Sequence, residues 1–295
     1  MKIRLVDVDS TIPNLALMQI SAYHKQRGDI VGFDVQNPDK VYISTIFSKN
    51  KSQAVGIATL YPQADIIQGG SGFDLHSTIP NPAQKIMPDY SLYNSPYDLG
   101  FTTRGCIRKC PFCIVPEKEG KLEKWMNISD FHHPDHKTAV LLDNNILAKK
   151  DWFFDQTDWA IDHNIKLNIT QGMDIRLITP EIAEQLARIK WAATLHFAFD
   201  SLSYEQAVET GLSILVDAGI NIRRNVDFYV LVGFDTTIAE DIYRCNLLKR
   251  LGTNAFVMQY RKTPETIRLA RWANRRNSFW AVDFENYTHG KKIHD

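Results

Sequence analysis

The chain has 295 residues, enough for a sizeable core and for one or two domains. Hydrophobic residues make up 44% and charged residues 23%, the balance of a soluble globular protein. Lys+Arg and Asp+Glu both number 34, so no global field points to nucleic acid, a membrane or a polyanionic substrate.

The amino terminus, MKIRLVDVDSTIPNLALMQ, has no apolar core followed by a small-residue cleavage site, so no secretory signal is expected. No run of about 18 apolar residues occurs, so no membrane span is expected either. Residues 1–60 alternate short β-rich runs with helical patterns. KIRLVDVD (2–9) and KVYISTIF (40–47) predict strands. PNLALMQISAYHKQRGD predicts a helix, with Pro13 at its start and Gly28 as its stop. QAVGIATLYP predicts a second helix, and ADIIQGGSGFD a short strand running into a glycine turn. This order suggests a small parallel sheet covered by helices. The turn at 69–72, GGSG, fits a tight turn better than a phosphate cradle.

Residues 74–98 hold four of the chain's twelve prolines and little periodicity, which marks a linker or wrapping segment and a domain boundary. From Leu99 the strand–helix alternation resumes with LGFTT, TAVLLDN (138–144), KLNITQG (166–172), TLHFAFD (194–200), VDFYVLVG (226–233) and NAFVMQY (254–260). Six such units suggest a parallel barrel or an open partial barrel, with chemistry at the carboxyl ends of its strands. The expected class is therefore α/β, a partial (β/α)6 parallel barrel preceded by a small, shortened Rossmann-like domain. The boundaries are 1–95, 96–262 and a helical extension over 263–295.

Three of the four cysteines, Cys106, Cys110 and Cys113, lie within eight residues directly after the first strand of the six-unit region. That spacing reads as metal thiolates in a reducing cytoplasm, not as a disulfide framework. A structural zinc site takes four protein ligands, and no second CxxC follows. Cys245 is predicted on a helix, and the histidines at 132, 133 and 136 are the other conceivable ligands, although FHHPDH reads most simply as a solvated loop. Iron–sulfur clusters are bound by thiolates, and three thiolates leave one iron of a four-iron cluster open.

The CxxxCxxC segment, with the aromatic Phe112 before its third cysteine, resembles the cluster loop of the radical S-adenosylmethionine (SAM) superfamily. The resemblance implies a [4Fe-4S] cluster on Cys106, Cys110 and Cys113, SAM on the open iron, and reductive cleavage of SAM to a 5′-deoxyadenosyl radical that modifies a substrate the sequence does not identify. It implies Phe112 near the adenine, and Asp143, Asn144 and Asn145 near the SAM amino end. In that place the superfamily usually has a Gly-Gly-Glu-like pattern, and the Asp-Asn-Asn form resembles the class carrying a cobalamin-binding-type amino-terminal domain. At the same rim it implies Gln171, Asp174, Arg176, Asp200, Gly233, Tyr260 and Arg261. A carboxylate and a guanidinium at 174 and 176 suit the ribose hydroxyls and the methionine carboxylate.

The segments PNLALMQISAYHKQRGD and ADIIQGGSGFD resemble a shortened cobalamin-binding domain. A cobalamin-ligating Asp-x-His-x-x-Gly is absent, with DVDSTIPN in its place. A degenerate domain acting as cover or substrate platform is the favoured reading, with cobalamin the less favoured cofactor and a cobalamin-dependent methyltransferase the alternative enzyme. The resemblance also implies a low-potential electron donor of the flavodoxin or ferredoxin type, and a cytoplasmic setting. Methylthiolation of tRNA is disfavoured, because those relatives use three further cysteines for a second cluster. The competing reading from another class is a non-catalytic zinc- or cluster-binding module that scaffolds nucleic acid or protein. The tail interleaves Arg268, Arg271, Arg275 and Arg276 with Trp272, Phe279 and Trp280, one footprint of nucleic-acid binding. An amphipathic helix closing the barrel is preferred, so nucleic acid is not the favoured partner.

Overall fold

Alternation of branched apolar residues makes the first strand. In β1 (Lys2–Asp7), Ile3 and Leu5 are buried on one face while Arg4 and Val6, on the other, are half-buried. The computed structural model describes residues 1–288, and the end of the predicted tail extension, 289–295, lies outside the described residues. After β1 come α1 (Leu15–Gln26), β2 (Ile30–Gly32), β3 (Lys40–Ser44), α2 (Lys51–Ala58) and β4 (Asp65–Gly69). The strands pair in parallel in the order β2-β1-β3-β4. Leu17 and Ile20 of α1 pack with Ile3, Leu5 and Tyr42 in one core cluster. Ala54 of α2 packs with Val41 and Ile43 in a second. Neighbours along β3 thus enter different clusters, as sheet geometry requires, and each fully buried aliphatic side chain contributes roughly 1.5–3 kcal/mol. The strand β2 was not predicted. It is three residues long, and Ile30 is 64% exposed, so no periodic signal marks it.

The proline-rich segment wraps rather than links. Gln19 donates to the Gln84 carbonyl at 2.8 Å, Ser21 donates to Asp89 at 2.6 Å, and Tyr93 donates its hydroxyl proton to Asp7 at 2.5 Å. The chain continues through β5 (Asp98–Gly100), β6 (Thr103–Arg104), α3 (Val115–Lys118), β7 (Glu123–Lys124), α4 (Ile128–Phe131) and β8 (Thr138–Leu141). β5 and β8 are parallel, and β6 and β7 form a short antiparallel pair. The FHHPDH stretch is not a solvated loop. Asp98 is fully buried, and both His132 and His136 place Nδ1 2.6 Å from its carboxylate, with the His133 amide donating to it at 2.9 Å. A buried carboxylate requires such partners, which converts the histidines into structural groups.

Contacts divide the chain into two compact units. The first is Met1–Gly105 with Ile114–Leu141, and the second is Cys106–Cys113 with the described residues from Leu142 onward. The second unit runs through α5 (Lys150–Asp162), β9 (Lys166–Ile169), α6 (Pro180–Arg188), β10 (Leu195–Ala198), α7 (Glu205–Asp217), α8 (Ile222–Asn225), β11 (Val226–Val232), α9 (Ile238–Arg250), β12 (Asn254–Gln259), α10 (Pro264–Ala273) and α11 (Arg276–Ala281). β10, β11 and β12 are parallel neighbours. In β11, Val226, Phe228, Val230 and Val232 are buried, and the intervening residues are half-buried. Trp272 and Phe279 of the tail are fully buried. Arg268 donates to the Phe284 and Tyr287 carbonyls, and Arg276 pairs with Asp227.

The fold is mixed α/β with parallel sheets, the predicted class: a Rossmann-like sheet ahead of the strand–helix units of a partial α/β barrel. Among the described residues no helix is long and apolar enough to cross a membrane.

Candidate functional site

The second unit carries the three clustered cysteines and a cleft of about 410 Å³ beside them. Cys110, Phe112, Asp200, Tyr204, Asp235 and Glu240 are among its walls. All three thiols are half-buried. The Arg108 amide donates to Cys106 Sγ at 3.3 Å, and Asn145 Nδ2 lies 3.9 Å from the same sulfur. The Cys113 amide donates to the Cys110 carbonyl at 3.0 Å, which closes the loop into a turn. Burial pushes the Cys110 thiol up, and the neighbouring Cys113, Asp200 and Cys106 push it further.

The donor chemistry is soft and uniform, three thiols without a carboxylate or imidazole, which is what iron–sulfur ligation uses. Among the described residues no three His, Cys, Asp or Glu side chains are drawn together in ready metal-binding geometry. Sites built on thiolates close as they lose protons and take up metal, so a loose set of thiols is compatible with the role. Asn145 adds a second observation. It is 4% exposed, and its Oδ1 is buried without a hydrogen-bond partner. A buried acceptor without a partner costs stability unless a water or a ligand supplies the donor, and this one belongs to a side chain beside a thiol.

Asp174 and Arg176 pair with each other. Arg176 Nε and Nη2 donate to the Asp174 carboxylate at 2.6 and 3.0 Å, and Arg108 Nε donates at 2.8 Å. Burial works to raise the Asp174 pKa, but the Arg176 and Arg108 donors outweigh it and hold the carboxyl below its ordinary range. The Arg176 guanidinium also lies 3.9 Å from the Tyr204 ring centroid. Asp200 follows β10 and accepts the Leu231 amide at 2.9 Å. Burial raises its pKa, and the Leu231 amide, Arg244 and Arg176 only moderate the rise.

Phe112 meets Phe234 edge-on at 5.8 Å, and Phe234 meets Tyr260 at 4.8 Å. Gly233 has φ +74°, and a Cβ there would sit 3.3 Å from the Arg261 carbonyl, so its glycine serves a backbone turn. Asp143 is buried and Asn144 half-buried, each already engaged with other groups. Gln171 and Arg261 are exposed, and neither is a wall of the cleft. The structure therefore gathers Cys110, Phe112 and Asp200 at the cleft and Asn145 at Cys106, and links Tyr260 to Phe112 through Phe234.

Sequence reasoning missed the groups that shape the cleft from beneath. Arg244 of α9 is fully buried and donates to the Phe199 carbonyl at 2.6 Å and the Leu231 carbonyl at 2.8 Å. Its Nη2 also pairs with Asp241 at 2.5 Å. Asp241 in turn accepts the Gly233 amide at 3.2 Å and the Thr236 hydroxyl at 2.6 Å. One guanidinium thus ties the carboxyl ends of β10 and β11 to the loop that carries Asp235 and Thr236. The available signal was an Asp–Arg pair three residues apart on the helical face that also carries Cys245 and Leu248. Glu240 caps α9 with Thr237 and also lines the cleft.

No protein-family model matches the chain. It is similar to ribosomal protein uS12 methylthiotransferase RimO of Ruegeria pomeroyi, 23% identical over 150 residues, which is 50% of this chain and 30% of that protein. It is also similar to the protein of that name from Stenotrophomonas maltophilia, 27% identical over 104 residues, 32% of this chain and 22% of that protein. The matched part is less than a third of those curated relatives' own length. At that distance the similarities show relatedness to part of those methylthiotransferases and nothing finer.

Proposed function

We propose that the chain is a radical SAM enzyme that holds a [4Fe-4S] cluster on Cys106, Cys110 and Cys113 and binds SAM in the adjoining cleft. The supporting observation is the coincidence of three half-buried thiols, a cleft that includes Cys110, and the orphaned Asn145 acceptor beside Cys106. When bound, the cluster supplies one electron for cleavage of SAM to methionine and a 5′-deoxyadenosyl radical, which takes hydrogen from a substrate. The chain's own residues bind and orient. The Arg108 amide and Asn145 donate toward Cys106 sulfur, and hydrogen bonds to a ligand sulfur tune its charge. Asn145 Oδ1, buried without a partner, would be the acceptor for the amino group of bound SAM. Phe112, backed by Phe234, offers the adenine an aromatic wall. Asp200, Asp235 and Glu240 offer acceptors for ribose hydroxyls. Because Asp174 occupies both Arg176 and Arg108, Lys109 is the cation left at the cleft for the methionine carboxylate.

Anaerobic reconstitution tests this. The protein should turn brown, carry about four irons per chain, and release 5′-deoxyadenosine when reduced with SAM. Colourless protein holding a single zinc would instead favour the scaffold reading, and a Cys106→Ala variant with unchanged iron content would remove the ligand assignment.

A methylthiotransferase, as the matched proteins are named, is the second reading. Residue chemistry in this chain speaks against it. The one cysteine outside the loop, Cys245, is fully buried in α9, and burial pushes its thiol up to about 12. It cannot serve a second cluster.

A further inference from the structure

In an open parallel α/β sheet, ligands bind outside the carboxyl ends of the strands where the strand order reverses. In the first unit that point lies between β1 and β3, because the chain moves to β2 on one side of β1 and to β3 and β4 on the other. Cobalamin is the group that the resemblance of this unit implies, so the crevice can be tested against it.

The carboxylates there are satisfied from within, while the buried Thr45 hydroxyl just past β3 is left without a partner. Asp9, just past β1, accepts the Ile46 amide at 2.7 Å, the Phe47 amide at 3.0 Å and Asn50 Nδ2 at 2.9 Å. These donors lie immediately after β3 and lead into α2, where a bound anion would be expected. Asp7 accepts from Tyr93 at 2.5 Å, and the Tyr93 ring packs edge-on against Phe33 at 5.1 Å, so the wrapping segment closes over the end of β1. Asn14 donates to Ser44 at 2.8 Å and to Ser10 at 2.9 Å.

The glycine turn is spent as well. The Gly72 amide donates to the Thr45 carbonyl at 2.9 Å, and a Cβ on Gly70 would come within 2.4 Å of that carbonyl oxygen. The turn is glycine-rich because two backbones touch, not because a ligand approaches. Neither histidine of residues 1–95 can serve as an axial ligand. Both ring nitrogens of His24 are taken, by Asp29 at 2.6 Å and Tyr42 at 3.1 Å, and His76 is a surface residue facing Glu117. A cavity of about 530 Å³ remains beside the turn, walled in part by Phe47, Phe73 and Lys51. Drug-sized molecules occupy pockets of roughly 300–1,000 Å³, and a corrinoid with its nucleotide tail is far larger than that class.

We infer that this Rossmann-like unit keeps its ligand crevice permanently filled by its own side chains, with Asp9 as the resident anion and Tyr93 as the cover, and that it does not take cobalamin. Two experiments on the full chain test it, and neither needs SAM chemistry. Protein incubated with excess hydroxocobalamin and desalted is expected to retain only background corrinoid absorbance. A saturable one-to-one complex overturns the inference. For the second, wild type, Asp9→Ala and the shorter, uncharged Asp9→Ser are melted with and without inorganic phosphate. Phosphate is expected to raise the melting temperature of the variants by about 2–4 °C more than that of wild type, by filling the vacated anion position. Equal responses in all three proteins overturn the role given to Asp9, and Asp9→Ser keeps the test usable if the alanine variant folds poorly.

Discussion

Asp9 and Asp200 occupy equivalent places in their respective units, each just past the carboxyl end of a parallel strand, and they are treated in opposite ways. Around Asp9, burial works to raise the pKa, but the Ile46 amide, Asn50 and the Phe47 amide outweigh it and hold the carboxyl below its ordinary range. Around Asp200, burial dominates, the Leu231 amide, Arg244 and Arg176 only moderate it, and the carboxyl is pushed up. A saturated carboxylate belongs to a finished structure. An under-supported one facing a cleft, with the orphaned Asn145 acceptor in the same unit, belongs to a surface that expects another molecule. The two units share strand–helix architecture; the first saturates the carboxylate at its edge, and the second leaves its own under-supported.

The largest effect is expected where the second unit is braced. Arg244→Met removes one partner of a fully buried pair and leaves Asp241 charged and uncompensated, which costs about 3–5 kcal/mol. Adding Asp241→Asn to that variant should recover part of the loss, and a double-mutant cycle in urea reads the coupling. Additive losses would mean that the guanidinium acts through its carbonyl contacts alone. SAM affinity should weaken in Arg244→Met even where the protein remains folded, since the cleft wall at Asp235 and Thr236 hangs on Asp241.

Next comes a pair of substitutions with opposite consequences. Asp9→Ala should lower stability by about 1–2 kcal/mol, because three donors lose their acceptor, and should leave iron content and 5′-deoxyadenosine release unchanged. Asn145→Ala should alter stability by less than about 1 kcal/mol, because one of its two polar atoms is already unsatisfied, and should reduce SAM cleavage. Urea melts and product assays on both variants decide it. An Asn145→Ala protein as active as wild type would make Asn145 a tolerated packing defect.

Much of this was readable in the residues because strand signals are local. TAVLLDN, KLNITQG and VDFYVLVG each contain the strand that forms, at Thr138–Leu141, Lys166–Ile169 and Val226–Val232. The predicted runs extend one to three residues too far, since the polar residues that finish each motif leave the sheet to face the carboxyl edge. Cys106, Cys110 and Cys113 were legible because spacing alone carries the chemistry. The closure of the first unit was not legible. It depends on Asp9 meeting Ile46 and on Tyr93 meeting Asp7, contacts 37 and 86 residues apart that no periodicity announces. Arg176 shows the reverse failure. Its type and position suited an anionic ligand, but Asp174, two residues away, holds it.

The smallest effect should come from Asp200 itself, and its sign separates the two carboxylates. A carboxyl raised by folding contributes stability below its unfolded pKa, near 3.9 for aspartate, and loses it as pH rises through the folded value. Asp9, lowered by folding, contributes above that unfolded pKa and loses its contribution as pH falls through the folded value. Asp200→Asn keeps an acceptor for the Leu231 amide while removing the charge, so at neutral pH it should raise the melting temperature by no more than a few degrees. Asp9→Asn should lower it. In acid, below the folded pKa of Asp9, both variants should converge on wild type. Melts across the acid-to-neutral range measure this, and an Asp200→Asn protein less stable than wild type at neutral pH would show that the carboxylate has a donor beyond Leu231 and that the second unit's edge is as finished as the first.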